Sequence, residues 1–255
     1  MRASLDDVCG CFPTGRHYPG IADRLSLIDT VEGISAHLAA SERWVAQRLA
    51  VIDFETTGVD PLTDRVVEVG IVCFENGELT AHKNWLVNPG IPVPEAARAV
   101  HGITDEQLAD APPFAKLIDD IRAVLEDHLP VAYNHAFDRA FLHAELDRAG
   151  VNRKGTKHKT VPPAFVDGIV WGDPLVWVRE LYKDEKGHKL TDMAGRLGIA
   201  LDQAHRAAND AEATGRVLLA LAARMPGTYG ELVRLQSQYA ARQDVDFAMS
   251  FRKRG

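Results

Sequence analysis

The sequence predicts a mixed α/β fold in which helices flank one β-sheet. Three consecutive segments between residues 48 and 87 have the apolar, β-branched composition of strands, and the first suits a buried central strand. Further along, up to residue 222, short strand patterns alternate with helical patterns. Strands first, followed by alternating strands and helices, are typical of a mixed sheet with helices packed on its faces.

The first strand pattern ends in two acidic residues. An apolar run from Leu49 leads into Asp53 and Glu55 and stops at the turn Thr56-Thr57-Gly58. Because side chains alternate along a strand, both carboxylates point to one face, roughly 7 Å apart. Two acids at the end of a buried strand repel each other and lose hydration, so they need a compensating positive charge. A divalent metal ion supplies it; the alternative is a strand end whose acids reach solvent.

The next two strand patterns form a predicted hairpin. Arg65–Phe74 is rich in Val and Ile, and Glu78–Val87 is expected to pair with it. Between them, Asn76-Gly77 tolerates the positive φ values of a tight turn. The three strands therefore form an antiparallel unit, with Cys73 of the second strand in the core.

Capping residues and periodicity define the remaining elements. Thr104 is a predicted N-cap, with Gln107 as its capping-box partner. Asp173 is expected to cap a helix rather than to bind a metal. Two shorter strand patterns, Val131–Tyr133 and Phe165–Val170, bring the sheet to five strands. Besides the short helix after Thr104, the predicted helices cover residues 95–100, 113–126, 138–149, 174–182, 190–197, 210–222 and 229–242.

The pattern divides the chain into three parts. Residues 1–47 are an N-terminal extension, in which 28–48 have the spacing of an amphipathic helix that packs on the following domain or on a partner. Residues 48–222 form the main domain, and 223–255 form a helical C-terminal extension. Every candidate catalytic residue follows residue 47, so we expect a folded truncation starting near Arg48 to retain the chemistry.

Composition excludes some classes of protein. A net charge of −7 argues against a protein that coats nucleic acid through bulk positive charge, although a metal-dependent nuclease remains compatible with it. Three cysteines argue against a disulfide framework. No segment has the length of a membrane span and the N-terminus lacks an apolar signal core, so we expect a cytoplasmic protein without membrane contacts.

Two later segments add acids and a histidine. The pattern of residues 131–138 predicts a short strand and a polar turn, followed by Asp138 at the start of a helix. Residues 204–211 add His205 and a fourth acid, Asp210. In chain order, the motifs are Asp53-x-Glu55-Thr56-Thr57-Gly58, Asn134 with Phe137-Asp138, and His205-Arg206-Ala207 with Asp210.

In this order the motifs resemble those of the DEDDh exonucleases, the DnaQ-like superfamily that includes the proofreading subunit of DNA polymerase III. The resemblance covers about residues 47–222. It includes the intervening stretches Val87–Gly90, His101–Thr104 and His188–Leu190. The fold that it implies is a ribonuclease-H-like mixed sheet of five strands flanked by helices.

The resemblance implies a metal-dependent 3′–5′ exonuclease. Asp53 would bridge two divalent ions, Mg²⁺ with Mn²⁺ as a substitute. Glu55 and Asp210 would hold the ion that carries the attacking water, and Asp138 would bind the second ion. His205 would act as general base, because imidazole titrates near neutral pH and accepts a proton from water.

The resemblance also implies substrate contacts and partners. Thr56 and Thr57 would meet the terminal nucleotide, and Glu95 and His101 lie on a segment that contacts substrate in the family. The expected substrate is DNA, with single-stranded 3′ ends favoured. A DNA polymerase and a sliding clamp are candidate partners, the latter because residues 243–247 faintly resemble a clamp-binding peptide.

Two alternative functions stay open at this point. The same metal site would serve an exoribonuclease that trims RNA ends. A non-catalytic nucleic-acid-binding module could share the fold, although the presence of all four acids and the histidine argues against it.

Overall fold

The computed structural model describes residues 33–35, 38–151, 161–201 and 204–252. These residues form a mixed four-stranded sheet in the order β3-β2-β1-β4. β1 pairs antiparallel with β2 and parallel with β4, and β2 pairs antiparallel with β3. The strands are β1 Arg48–Thr56, β2 Val66–Glu75, β3 Glu78–Leu86 and β4 Leu129–Val131.

The hairpin between β2 and β3 is confirmed. Asn76 and Gly77 both have positive φ, 52° and 82°, as a tight turn between antiparallel strands requires. Cys73 of β2 is buried as predicted, and burial raises the pKa of its thiol to about 11.

Helices cover both faces of the sheet at most of the predicted places. The capping box between Thr104 and Gln107 is present, and Asp173 caps the helix that follows it. None of the described helices combines the length and apolar content that a membrane crossing requires. The helices are α1 Glu95–His101, α2 Asp105–Leu108, α3 Phe114–Leu125, α4 His135–Arg148, α5 Pro174–Leu181, α6 Leu190–Leu197, α7 Ala207–Leu221 and α8 Tyr229–Arg252.

The prediction of a fifth strand at Phe165–Val170 is wrong. Residues 163–165 form a 3₁₀ turn, and strand pairing is reduced to a single parallel bridge between Gly172 and Val131. Continuing that ladder towards Val170 would require an N–H from Pro130, which proline lacks. The Val170 N–H instead donates to the carbonyl of Gly33 at 2.8 Å.

The core has one layer on each side of the sheet. β1 is buried on both faces, as expected for a central strand. Ala50 and Ile52 pack towards α3 and α4, whereas Leu49 and Val51 pack towards α5, α7 and α8. Asp53 and Glu55 continue the second series, so they face the side of the sheet that α7 covers.

The amphipathic helix predicted over residues 28–48 is wrong for its described part. Within residues 33–35 and 38–47 the only helix is a 3₁₀ turn, Trp44–Ala46. Backbone groups here bind the chain near the start of α8 instead: the Tyr229 N–H donates to the Glu42 carbonyl at 2.8 Å. The Trp44 indole is fully buried, and its Nε1 donates to the carbonyl of Pro226 at 2.6 Å. Residues 28–32, 36 and 37 lie outside the described residues.

The start of α7 lies directly on β2 at Gly70. A Cβ at Gly70 would stand 2.2 Å from the carbonyl carbon of Ala207 and 2.3 Å from the nitrogen of Ala208. Gly70 is also the strand partner of Asp53. Glycine at this position therefore lets α7 approach the acidic end of β1.

Replacing Trp44 by alanine should lower the free energy of unfolding by about 3–5 kcal/mol, because a fully buried indole and its hydrogen bond are lost. Urea unfolding measures this change. The matched control is Arg43→Ala, next to it and exposed, which should stay within about 0.5 kcal/mol of wild type. A loss below about 1 kcal/mol for Trp44→Ala would contradict the packing described.

Gly70→Ala should destabilise the fold by about 1–3 kcal/mol, because its methyl group meets backbone atoms of α7 that have little room to move. Gly195→Ala in α6 should stabilise it by about 0.4–1 kcal/mol, since a Cβ there meets nothing within 4 Å. Parallel urea titrations compare the two. Equal effects of the same sign would refute the close approach of α7.

Candidate active site

Acidic residues from three elements converge at the carboxyl end of β1. Ligand atoms of Glu55, His205 and Asp210 all lie within 4.8 Å of one another. Asp138 reaches the same end of the strand, where its Oδ1 accepts the backbone N–H of Phe54 at 3.1 Å. Phe54 stands between Asp53 and Glu55, so all four predicted acids and the histidine are brought together.

A turn at Asn134, in an unfavourable backbone conformation, places Asp138 next to β1. Asn134 adopts the left-handed conformation, with φ at 68°, which asparagine tolerates better than most residues. α4 begins immediately afterwards, and Asp138 lies in its first turn. The carboxylate of Asp173 accepts the backbone N–H groups of Asn134 at 3.0 Å and His135 at 3.1 Å. Asp173 also caps α5 through the Leu175 N–H at 2.9 Å, so the predicted capping role is confirmed.

His205 and Asp210 are fixed together at the start of α7. His205 has a φ of 65°, and its backbone N–H donates to Asp210 Oδ2 at 3.1 Å. Asp210 lies in the first turn of α7, where the helix dipole favours a negative charge. Its other oxygen, Oδ1, is buried and has no hydrogen-bond partner in the described part of the chain.

An ion pair between a buried glutamate and a partly exposed arginine, which sequence reasoning missed, supports this loop. Glu68 is fully buried opposite Glu55 on β2, and Arg206 contacts its Oε1 at 2.6 Å. The Ala207 N–H and the Asn84 amide also donate to Glu68, at 3.0 Å and 2.8 Å. Burial raises the pKa of Glu68, but these hydrogen bonds outweigh it and lower that pKa below its usual value. The available signal was an acid inside an otherwise apolar strand.

The four acids resist ionisation together. Burial raises the pKa values of Asp53, Asp138 and Asp210 above their ordinary values, and it raises the pKa of Glu55 to about 8. In all four acids burial is the largest cause of the shift. Asp138, Asp210 and Glu55 each raise the pKa of Asp53 further by repulsion. The cluster therefore holds more carboxylate than it keeps ionised without an added cation.

The cluster fits a divalent metal ion by its chemistry. Its donors are carboxylate oxygens with one imidazole nitrogen nearby, and carboxylate oxygens are the ligands that hard cations take. The buried Oδ1 of Asp210, which lacks a hydrogen bond among the described residues, is such a donor. Positive charge among these acids would also relieve their repulsion.

The predicted substrate residues divide into two groups. Thr56 and Thr57 use their hydroxyls within the turn, bonding the carbonyl of Gly58 at 2.6 Å and the carboxylate of Asp64 at 3.0 Å. His101 is buried, which lowers its pKa, while the Thr56 backbone partly opposes that change. His101 thus lies beside the end of β1, next to the acids. Glu95 is exposed and forms an ion pair with Arg98.

The Tyr133 hydroxyl points towards the segment before α6, where it donates to the carbonyl of His188. Tyr133 itself follows β4 by two residues. Its phenol therefore links two elements of the fold, and its pKa is raised by burial.

The chain is similar in sequence to known proteins. The RNase T exonuclease family model matches residues 50–218. A PolC-type DNA polymerase III from Bacillus cereus is 32% identical over 189 residues, covering 74% of this chain and 12% of that protein. The 3′–5′ exonuclease DinG from Bacillus subtilis is 31% identical over 174 residues, covering 68% of this chain and 17% of that protein. The chain therefore spans less than a fifth of the length of these relatives.

A solved structure shows the same architecture. Exonuclease X in complex with 5′-overhanging duplex DNA aligns with a TM-score of 0.55 at 22% identity, covering 74% of this chain and 99% of that one. The alignment confirms the ribonuclease-H-like fold, with four strands here in place of the predicted five. The family match over residues 50–218 shows that the chain belongs to the DnaQ-like exonuclease family of nucleic-acid hydrolases.

Proposed function

We propose that this protein is a metal-dependent 3′–5′ exonuclease that removes nucleotides from DNA 3′ ends, with single-stranded ends preferred. The observation that carries the proposal is the convergence of four carboxylates, two of them buried and two half-buried, and one histidine at the end of β1. The similarity to a PolC-type DNA polymerase III and to DinG supports DNA as the polymer and 3′–5′ as the direction.

The four acids would hold two divalent ions, Mg²⁺ or Mn²⁺. Asp53, at the centre of the cluster, would bridge the pair. Glu55 and Asp210 lie together and would share one ion, whereas Asp138, anchored to the Phe54 N–H, would bind the other. When bound, such a pair activates water and stabilises the charge that develops on phosphorus and on the leaving oxygen.

His205 would take the proton from the attacking water. Its ring lies beside Glu55 and Asp210, and its backbone is fixed to Asp210 by a hydrogen bond of 3.1 Å. Neutral imidazole is the side chain best suited to proton transfer near pH 7. The Arg206–Glu68 ion pair fixes the next residue in the chain and so limits where His205 can move.

The 3′ end would enter beside the turn at residues 56–58. Thr56 and Thr57, whose hydroxyls bond the Gly58 carbonyl and the Asp64 carboxylate within the turn, would contact the terminal nucleotide. His101 and Glu95 of α1 would flank the same nucleotide.

The polymerase and the sliding clamp remain candidate partners. Residues 243–247 lie within α8, and the Gln243 amide donates to the carbonyl of Val176 at 3.0 Å. A clamp would therefore have to displace this contact before it could bind Gln243.

End-labelled DNA and RNA strands of identical sequence test the function directly. With Mg²⁺ we expect 5′-labelled DNA to shorten stepwise, and no shortening with chelator. The matched control is Asp53→Asn, which should be inactive on both polymers. Faster shortening of RNA would favour the exoribonuclease alternative, and binding without shortening would favour the non-catalytic module.

His205 and Asp210 should respond differently to alanine. His205→Ala should keep its metal affinity and lose about 10²–10⁴-fold in single-turnover rate, because only the proton acceptor is lost. Asp210→Ala should lose metal binding as well as activity. Calorimetric metal titration with single-turnover kinetics separates the two, and added imidazole should partly restore His205→Ala. His82→Ala, at the sheet edge, is the control. A rate loss below a few-fold for His205→Ala would exclude a general base.

Glu55 should make stability depend on pH in the metal-free protein. Its pKa of about 8 in the folded state exceeds its ordinary value of 4.5, so the folded state binds the additional proton. The free energy of unfolding should therefore fall as pH rises from about 5 to 8, by about 2–4 kcal/mol. Urea titrations across pH should show this fall, and Glu55→Gln should make it smaller. The exposed Glu78→Gln should leave it unchanged, and a rise in stability with pH would contradict the assignment.

A further inference from the structure

We propose that Gln236 of the C-terminal helix α8 is a positioning residue for the metal site, acting through Asp173 on the turn that carries Asp138. Gln236 lies outside the residues that match the exonuclease family, 50–218. The inference rests on the proposed function for its activity readout, and it predicts metal binding independently of that function.

The Gln236 amide is fixed in one orientation. The side chain is buried, with 3% of its surface exposed. Its Nε2 donates to the carbonyl of Trp171 at 2.7 Å, and its Oε1 accepts the backbone N–H of Asp173 at 2.9 Å. The indole Nε1 of Trp177 donates to the same oxygen at 3.1 Å. If the amide were flipped, its NH₂ group would face the Asp173 N–H and its oxygen would face the Trp171 carbonyl, and neither contact is a hydrogen bond.

These contacts replace a missing strand. Gly172 uses its own N–H and carbonyl to pair with β4, bonding Pro130 and Ala132 at 2.8 Å and 3.1 Å. Because backbone groups alternate sides along an extended segment, the carbonyl of Trp171 and the N–H of Asp173 face the opposite, unpaired edge. Gln236 supplies one donor and one acceptor to these two groups, as a neighbouring strand would. Without it, two buried backbone groups would lose their partners.

Asp173 connects the segment that Gln236 holds to the turn before α4. Its carboxylate accepts the backbone N–H groups of Asn134 and His135, at 3.0 Å and 3.1 Å, and the His135 Nδ1 at 2.9 Å. It also accepts the Leu175 N–H at 2.9 Å. A shift of the Asp173 backbone therefore moves the start of α4 with it.

The start of α4 determines where Asp138 lies. Asn134 is in the left-handed conformation, which is unfavourable for a non-glycine residue and persists only where its surroundings hold it. Asp138 follows in the first turn of α4, with one hydrogen bond to Phe54 at 3.1 Å. Metal ligands and reacting groups tolerate little displacement, since misplacement by about 1 Å costs on the order of 10²-fold in rate. Gln236 thus connects the C-terminal helix to one ligand of the site.

Gln236→Met tests the connection, because methionine has nearly the same shape but no amide. We expect the Mg²⁺ concentration for half-maximal exonuclease rate to rise about tenfold, with kcat lowered and the KM for DNA within twofold. Calorimetric Mn²⁺ titration should show the same weakening without any substrate. Gln236→Asn gives the same readout should Gln236→Met not fold.

The matched control is Val233→Ala, in the same helix and 2% exposed, which loses packing without touching a polar group. Its metal dependence should remain that of wild type. Asp173→Asn should weaken metal binding as Gln236→Met does, and the double variant should lose little more than Asp173→Asn alone. Equal metal titrations for Gln236→Met and Val233→Ala would overturn the proposal. If wild type binds metal but degrades no nucleic acid, the proposed function fails while the Mn²⁺ titrations still decide the role of Gln236.

Discussion

Four carboxylates brought together at the end of β1, two of them buried and two half-buried, impose the main constraint on this protein. Each loses hydration and repels the others, so their pKa values are raised. Unlike an apolar core, such a cluster does not hold itself together. The elements that carry the acids, which are β1 and the starts of α4 and α7, must therefore be fixed by contacts outside the cluster.

The starts of α7 and α4 have their own anchors. Gly70 lets α7 lie against β2, and the ion pair of Arg206 with the buried Glu68 fixes the residue next to His205. Asp173 fixes the turn before α4 by accepting hydrogen bonds from two successive backbone N–H groups. The anchors surround the site without neutralising it, because Arg206 is bound to Glu68. The carboxylate oxygens of the cluster therefore remain available to divalent cations.

Local patterns predicted the parts of the fold that depend on local physics. The hairpin at Asn76-Gly77, the capping box at Thr104 and the alternation of Asp53 and Glu55 follow from turn chemistry and strand periodicity. The order of the motifs predicted which acids meet. The identity of the anchors was not predictable in this way, because Glu68 and Arg206 are far apart in sequence and neither belongs to a periodic pattern.

Long-range contacts also explain the two wrong predictions. The spacing of apolar residues before Arg48 fitted a helix. Instead, Trp44 is buried against the chain near Pro226, and the backbone around residue 42 forms hydrogen bonds with the backbone at the start of α8. The fifth strand failed because Pro130 has no N–H to continue the ladder, a property of the neighbouring strand rather than of the segment itself.

The proposed function requires that the acids at the end of β1 hold two divalent ions. Anomalous diffraction from crystals grown with Mn²⁺ and a nucleoside monophosphate measures this most directly. We expect two Mn²⁺ peaks roughly 4 Å apart. Asp53 should contact both ions, Glu55 and Asp210 should contact one of them, and Asp138 should contact the other. A single peak that leaves Asp138 without a metal contact, or peaks away from β1, would contradict this proposal.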